Sequence, residues 1–225
     1  VTFREEIILL DPAHASTREQ RLMAEVLAHE LSHMWFGNLV TMEWWDDLWL
    51  NESFATWTEN KLTNELFPEF HLDVVSRESA EGAIRNDSRP AAEAIRERVG
   101  AFDNLDQLFD SFRYEKGGAV LTMMERWIGP EAFRAGVRDY VTQYAWRNAT
   151  AADLWRCFGH AAGRPIDTVA GSFLDQPGVP FVSVDVLSGG KINVNYGLVT
   201  TDGNTTNDMQ NIAKQVGRDV SVSIN

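Results

Sequence analysis

Cysteine is nearly missing from this 225-residue chain, where Cys157 is the only one. No intrachain disulfide can form, and a zinc site built from cysteines is excluded. Positive charge is also scarce: 20 Lys and Arg stand against 33 Asp and Glu, for a net charge of −13. Phosphate backbones are held by clustered Lys and Arg, so nucleic acid is not an expected partner. A negative field favours cationic ligands instead, among them the protonated amino end of a peptide. No run of about 18 apolar residues occurs, so no membrane span is expected. The start, VTFREEIILL, lacks both an initiating Met and a signal-peptide pattern, and it reads as an alternating strand entered from its middle. The chain is therefore expected to be cut from a longer one. The single Cys and the missing signal pattern favour a cytoplasmic location.

What is present is globular in balance. Hydrophobic residues make up 44% and charged residues 24%, enough to bury a sizeable core. The length fits one large domain, or one domain with a small appendage. STREQRLMAEVLAHELSHMWF carries a helical apolar face. Thr17 with Gln20, or Ser16 with Glu19, makes a capping box at its start, and Gly37 ends it. LVTMEWWDDLW is aromatic and irregular. NESFATWTENKLTNEL reads as a second helix with Asn51 as N-cap. Residues 69–99 read as a helix and then a polar loop, and residues 103–127 as a loop and then a helix ended by Gly129 and Pro130. EAFRAGVRDYVTQYAW, TAADLWRCFGHAAG and DTVAGSFLDQ give three further helices. From residue 181 the pattern changes. FVSVDVL and KINVNYGLV alternate about a Ser-Gly-Gly turn and predict a β-hairpin, and TTDGNTTND follows as a polar loop.

The stretch with chemistry in it is HELSHMWFG, residues 29–37. Residues four apart on a helix share a face, so His29 and His33 can present two imidazoles to one ion. Zinc accepts neutral imidazole and wants four ligands, with one position left open for catalysis. Glu30 stands beside that face, where a carboxylate can take a proton from a metal-activated water. Glu52, nineteen residues after His33, opens the second predicted helix. A lone Glu there is most often a surface charge favoured by the helix dipole. Here it sits among Trp49, Leu50, Phe54 and Trp57, and a carboxylate buried in such company needs a partner. Asp47 is a candidate to orient a ligand histidine through a hydrogen bond. His14, His71 and His160 lack partners at ligand spacing and read as structural or exposed. Trp35, Trp44, Trp45, Trp49 and Trp57 read as core packing.

HELSHMWFGNLVTMEWWDDLWLNESFA resembles the zinc-binding segment of the aminopeptidase N family, the gluzincin aminopeptidases, in which H-E-x-x-H is followed after eighteen residues by Glu. YEKGGAVL at 114–121 resembles the family's second signature, and NATAADLW and LDQPGVPFVSV resemble its later helices and the exit from its catalytic domain. The resemblance covers about residues 1–186. It implies one Zn2+ per chain, held by His29, His33 and Glu52. It implies Glu30 as general base and later proton donor, Tyr114 as hydrogen-bond donor to the developing oxyanion, and Glu52 as a contact for the substrate's amino group. The family's Gly-x-Met-Glu-Asn strand, whose Glu also grips that amino group, has no counterpart in these residues. Neither do its N-terminal β-domain and its C-terminal helical domain.

The expected fold is mainly α: a thermolysin-like zincin helical lobe with a remnant N-terminal β-strand and a C-terminal β-hairpin segment. Residues 1–180 are expected to form the N-terminally truncated catalytic domain. Residues 181–225 are expected to be a β-rich segment, either the start of a following domain or a non-native tail. The expected activity is zinc-dependent hydrolysis of the N-terminal peptide bond of a peptide with a free amino terminus. The rivals are a thermolysin-like endopeptidase, and a zinc-binding fragment that is only a structural or interaction module.

Overall fold

A computed structural model describes residues 3–11, 13–89, 92–100, 105–109, 111–186, 192–199 and 205–206. The chain is mainly helical, as expected, but its first segment differs. Glu5–Ile8 forms a helical turn, α1, instead of a strand. Leu9 N donates to Glu5 O at 2.8 Å. With no described strand alongside to pair with, the backbone satisfies its polar groups locally.

Helix α2, Thr17–Ser32, begins at a capping box. Of the two candidate boxes it is the Ser16 one that forms. Ser16 Oγ accepts from Glu19 N at 3.3 Å, and Glu19 Oε2 accepts from Ser16 N at 2.7 Å. After α2 the chain turns at Gly37, whose φ of +136° favours glycine, and enters the short strand β1, Val40–Met42. A 3-10 turn, Trp45–Asp47, then leads directly into α3, Trp49–Leu66. The expected N-cap at Asn51 is thereby corrected. Leu48 already has helical φ and ψ and is itself the N-cap, three residues before the expected one, and the Asn51 amide turns to Met42 Sδ at 3.2 Å.

Helices α4 (Leu72–Asp87), α5 (Ser111–Ile128), α6 (Pro130–Gln143), α7 (Ala151–Ala162) and α8 (Asp167–Leu174) follow. Helix α6 takes Pro130 in its first turn, where the missing N–H costs nothing. Helix α7 opens on a Thr150–Asp153 capping box and closes on Gly163 in the left-handed region. Between α6 and α7, β2 (Arg147–Ala149) pairs in parallel with β1. Strands β3 (Val179–Val186) and β4 (Ile192–Val199) form the expected antiparallel hairpin. Its Ser-Gly-Gly turn lies outside the described residues. In the expected polar loop after it, Thr205–Thr206 forms a short third strand, β5, against β4.

The core lies where α3, α5, α6 and α7 meet. Trp49, Phe54, Leu121, Met124, Phe133, Leu154 and Phe158 are all buried there. Phe36 stacks on Phe54 at 4.3 Å between ring centroids, and Trp49 on Trp155 at 5.4 Å. Of the five tryptophans expected in the core, Trp49 is buried in it, Trp57 is partly buried against it, and Trp45 is partly buried outside that cluster. Trp35 and Trp44 are about half exposed, which corrects that reading for both. Burying a large apolar side chain is worth roughly 1.5–3 kcal/mol, so this cluster is what holds α3 in place.

A candidate metal centre on α2 and α3

Helix α2 presents His29, and His33 follows at its end, so one face carries both rings. Helix α3 runs past them with Glu52 in its first turn, where the helix dipole favours a carboxylate. The two rings and the carboxylate converge. His29 Nε2 lies 3.3 Å from Glu52 Oε2, and His33 Nε2 lies 3.5 Å from the same oxygen. Ligand atoms from all three residues fall within 4.8 Å of one another. Glu52 is 8% exposed, so the convergence is buried.

The opposite ring nitrogens are occupied. His29 Nδ1 is 2.9 Å from Glu59 Oε2, and His33 Nδ1 donates to Phe36 O at 3.0 Å. Both imidazoles therefore turn Nε2 towards the shared point. Metal-ligating histidines have this arrangement, with one nitrogen on the ion and the other on a carboxylate or carbonyl. The donor set fits a divalent ion: two imidazoles and one carboxylate leave further positions open. The group can hold a metal ion.

The electrostatics are those of three ligand groups crowded together. Burial opposes charge on His29, but the Glu52 and Glu59 carboxylates outweigh it and hold the imidazole up at about 9. Burial likewise opposes charge on Glu52, but the two imidazoles outweigh it and hold the carboxyl down at about 2. Two further carboxyls sit close by. Burial and the Glu59 charge push Glu25 up to about 7 against the pull of Arg21, and burial with Glu59 and Glu25 does the same to Glu115.

Tyr114 reaches the same place from α5. Its ring stacks on the His29 imidazole at 5.8 Å and 17° between planes. What brings α5 so close to α3 is the pair of glycines in YEKGG. A Cβ on Gly117 would lie 1.8 Å from Ser53 Oγ, and one on Gly118 would lie 3.2 Å from Thr56 Cγ2. Ser53 Oγ donates to Arg113 O at 3.0 Å, which ties the residue after Glu52 to the residue before Tyr114. Two residues beyond Tyr114, Lys116 pairs with buried Asp87 at 2.7 Å, and Asp87 also accepts from Gly178 N at 2.9 Å. Glu30 lies half-buried on α2, one residue past His29.

Asp47 does not orient a ligand histidine. Its Oδ1 accepts from Trp49 Nε1 at 3.1 Å and from Arg96 Nε at 2.5 Å, and its Oδ2 accepts from Ala151 N at 2.9 Å. It ties the start of α3 to the start of α7 and to residues 92–100. The carboxylate that meets His29 at the nitrogen turned away from the shared point is Glu59. Sequence reasoning missed it, although it lies seven residues after Glu52, two turns along the same helical face. Glu25, four residues before His29, was missed too, with helical spacing as its signal.

No helix among the described residues is long and apolar enough to cross a membrane. Residues 1–173 match the peptidase family M1 domain. The chain is 39% identical, over 92% of its length, to probable aminopeptidase 2 of Sulfurisphaera tokodaii, and covers 26% of that protein. It is 38% identical over 92% of its length to leucyl aminopeptidase of Saccharolobus solfataricus, covering 26% of it. It is 38% identical over 84% of its length to aminopeptidase M1-A of Oryza sativa subsp. japonica, covering 22% of it. The chain thus spans about a quarter of the length of these curated relatives. A domain match over most of the chain and this shared identity give one conclusion: the chain belongs to peptidase family M1.

Proposed function

We propose that this chain carries the metal site and reacting groups of a zinc-dependent aminopeptidase. The observation that carries the reading is the convergence of His29 Nε2, His33 Nε2 and the Glu52 carboxylate, with Tyr114 stacked alongside. Two nitrogens and one oxygen, with positions left open, are the donor set of catalytic zinc. Zinc supplies Lewis acidity there: it acidifies a water and draws charge from a substrate carbonyl.

The chain's own residues do the rest. Glu30 accepts the proton of the attacking water and returns it to the departing amine. Tyr114 donates its phenol hydrogen to the carbonyl oxygen as charge builds on it. That contact strengthens in the transition state and so speeds the chemical step. Glu52, negatively charged and buried, is a ligand and a counter-charge for the substrate's protonated amino terminus. The substrate class is then a peptide with a free amino end, which suits a chain of net charge −13. The aminopeptidase names of the relatives support the same class. In this reading residues 1–180 form the peptidase domain, and residues 181–225 are the start of a following domain or a non-native tail.

The test is a matched pair of peptides, one with a free and one with an acetylated amino end, given to the zinc-loaded chain and to Glu30→Gln. Cleavage of the free peptide alone, lost in Glu30→Gln while zinc is retained, is the expected result. Cleavage of both peptides at an internal bond makes the protein an endopeptidase instead. Undiminished turnover in Glu30→Gln removes the base assignment.

A further inference from the structure

One helix grips the His29 imidazole at both of its nitrogens. Glu52 meets Nε2 at 3.3 Å, and Glu59, seven residues later on α3, meets Nδ1 at 2.9 Å. We infer that Glu59 is a positioning residue for the metal site: it accepts a hydrogen bond from His29 Nδ1–H and so keeps Nε2 aimed at the point shared with His33 and Glu52. The inference rests on the metal-site reading above and names the group that orients one of its ligands.

Three observations carry it. Glu59 holds the shorter of the two contacts to the ring, so Nδ1 is the better place for the single proton of a neutral imidazole. Glu59 does not join the ligand atoms that lie within 4.8 Å of one another, so it is not itself one of that set. His33 has the matching contact from the Phe36 carbonyl at 3.0 Å, so each ligand ring is held from behind. The two holders differ in charge. Phe36 offers a neutral carbonyl, whereas Glu59 offers a carboxylate, which polarises the ring more and makes Nε2 the stronger donor. The rival is that Glu59 only braces α2 against α3. A brace would affect folding but not the choice of protonated nitrogen.

The test compares the full 225-residue chain with Glu59→Ala and Glu59→Gln in one alkaline buffer, where an imidazole carries a single proton. Nitrogen chemical shifts of His29 in the metal-free chain report which nitrogen keeps its proton. Chelator-buffered zinc reports affinity, and circular dichroism confirms that each variant is folded. The wild type should hold the proton on Nδ1, and Glu59→Ala should return it to Nε2, the usual site in a free imidazole. Zinc affinity should fall about 10- to 100-fold in Glu59→Ala, with Glu59→Gln between the two. An unchanged tautomer and unchanged affinity in Glu59→Ala overturn the inference. If Glu59→Ala does not fold, Glu59→Gln keeps the shape, and wild-type affinity in that variant overturns the claim for the charge. A wild type that binds no zinc removes the metal-site reading, and the tautomer comparison still decides what Glu59 does to His29.

Discussion

Gly117 on α5 faces Ser53 on α3 so closely that a Cβ on Gly117 would lie 1.8 Å from Ser53 Oγ and 2.7 Å from Ser53 Cβ. Ser53 is next to Glu52, and Gly117 is three residues beyond Tyr114. The spacing of the two helices therefore sets the spacing of the phenol and the metal group. For Gly117→Ala two effects compete. Alanine gains about 1 kcal/mol in helix propensity. Overpacking typically costs about 1–3 kcal/mol, and Ser53 has no exposed surface into which to move. Net destabilisation is expected in denaturant melts, with loss of the Tyr114–His29 stacking contact. Ser53→Gly in the same chain should restore the stacking contact, because only glycine removes both clashing atoms, while stability stays lower through the lost Ser53–Arg113 hydrogen bond. A Gly117→Ala chain that is more stable than wild type contradicts this account of the helix contact.

Asp47 makes a second prediction, about stability and not chemistry. Its carboxylate serves Trp49, Arg96 and the first N–H of α7. Asp47→Ala leaves all three donors without that acceptor. Removing one side of a buried pair costs about 3–5 kcal/mol. The Arg96 side chain is a third exposed, so water recovers part of this, and about 2–4 kcal/mol is expected from equilibrium unfolding. Zinc content of the folded fraction should not change. Loss of zinc with unchanged stability would return Asp47 to the role of a ligand-orienting residue.

Without metal, the chain should be less stable at pH 9 than at pH 5. The His29 pKa of about 9 lies above its unfolded value of 6.5, so its contribution is complete below 6.5 and is lost as pH rises through 9. Glu25 and Glu115 point the same way. Their pKa of about 7 exceeds the unfolded 4.5, so the unfolded chain sheds protons first and stability falls between 4.5 and 7. Glu52 acts on the other side. Held at about 2, its contribution is full above 4.5 and is lost only as pH falls towards 2. Its partner in that contribution is His29, so the pair counts once. Thermal melts of chelator-treated protein across this range give the result directly. A melting temperature that climbs steadily from pH 5 to pH 9 contradicts the charge assignment of the site.

The helices and the grouping of His29, His33 and Glu52 were legible in the sequence because each rests on local periodicity. His29 and His33 lie four residues apart, and Glu52 opens a helix whose neighbours are apolar. The capping box at Ser16 was legible for the same reason, as it needs only residues three apart, whereas the Thr150 box of the same spacing was missed. The strand expected at residues 1–10 was not realised. Alternation predicts a strand only when a neighbour offers backbone groups to pair with, and at Glu5–Ile8 the backbone pairs within its own turn. The choice of Asp47 over Glu59 failed on distance. Asp47 is near the site in sequence, but its carboxylate faces Arg96 and α7, whereas Glu59 is two turns further along and faces His29. The Gly-Gly pair was recognised as part of a signature. Its reason, the close passage of α3, depends on a contact between residues 53 and 117 that no local pattern contains.

The central claim is that His29, His33 and Glu52 form a metal site within this chain. Elemental analysis of zinc per chain after dialysis against metal-free buffer tests it most directly, with Glu52→Ala alongside. The account predicts close to one zinc per wild-type chain and a clear loss in Glu52→Ala. A folded wild-type chain that retains no zinc would contradict it.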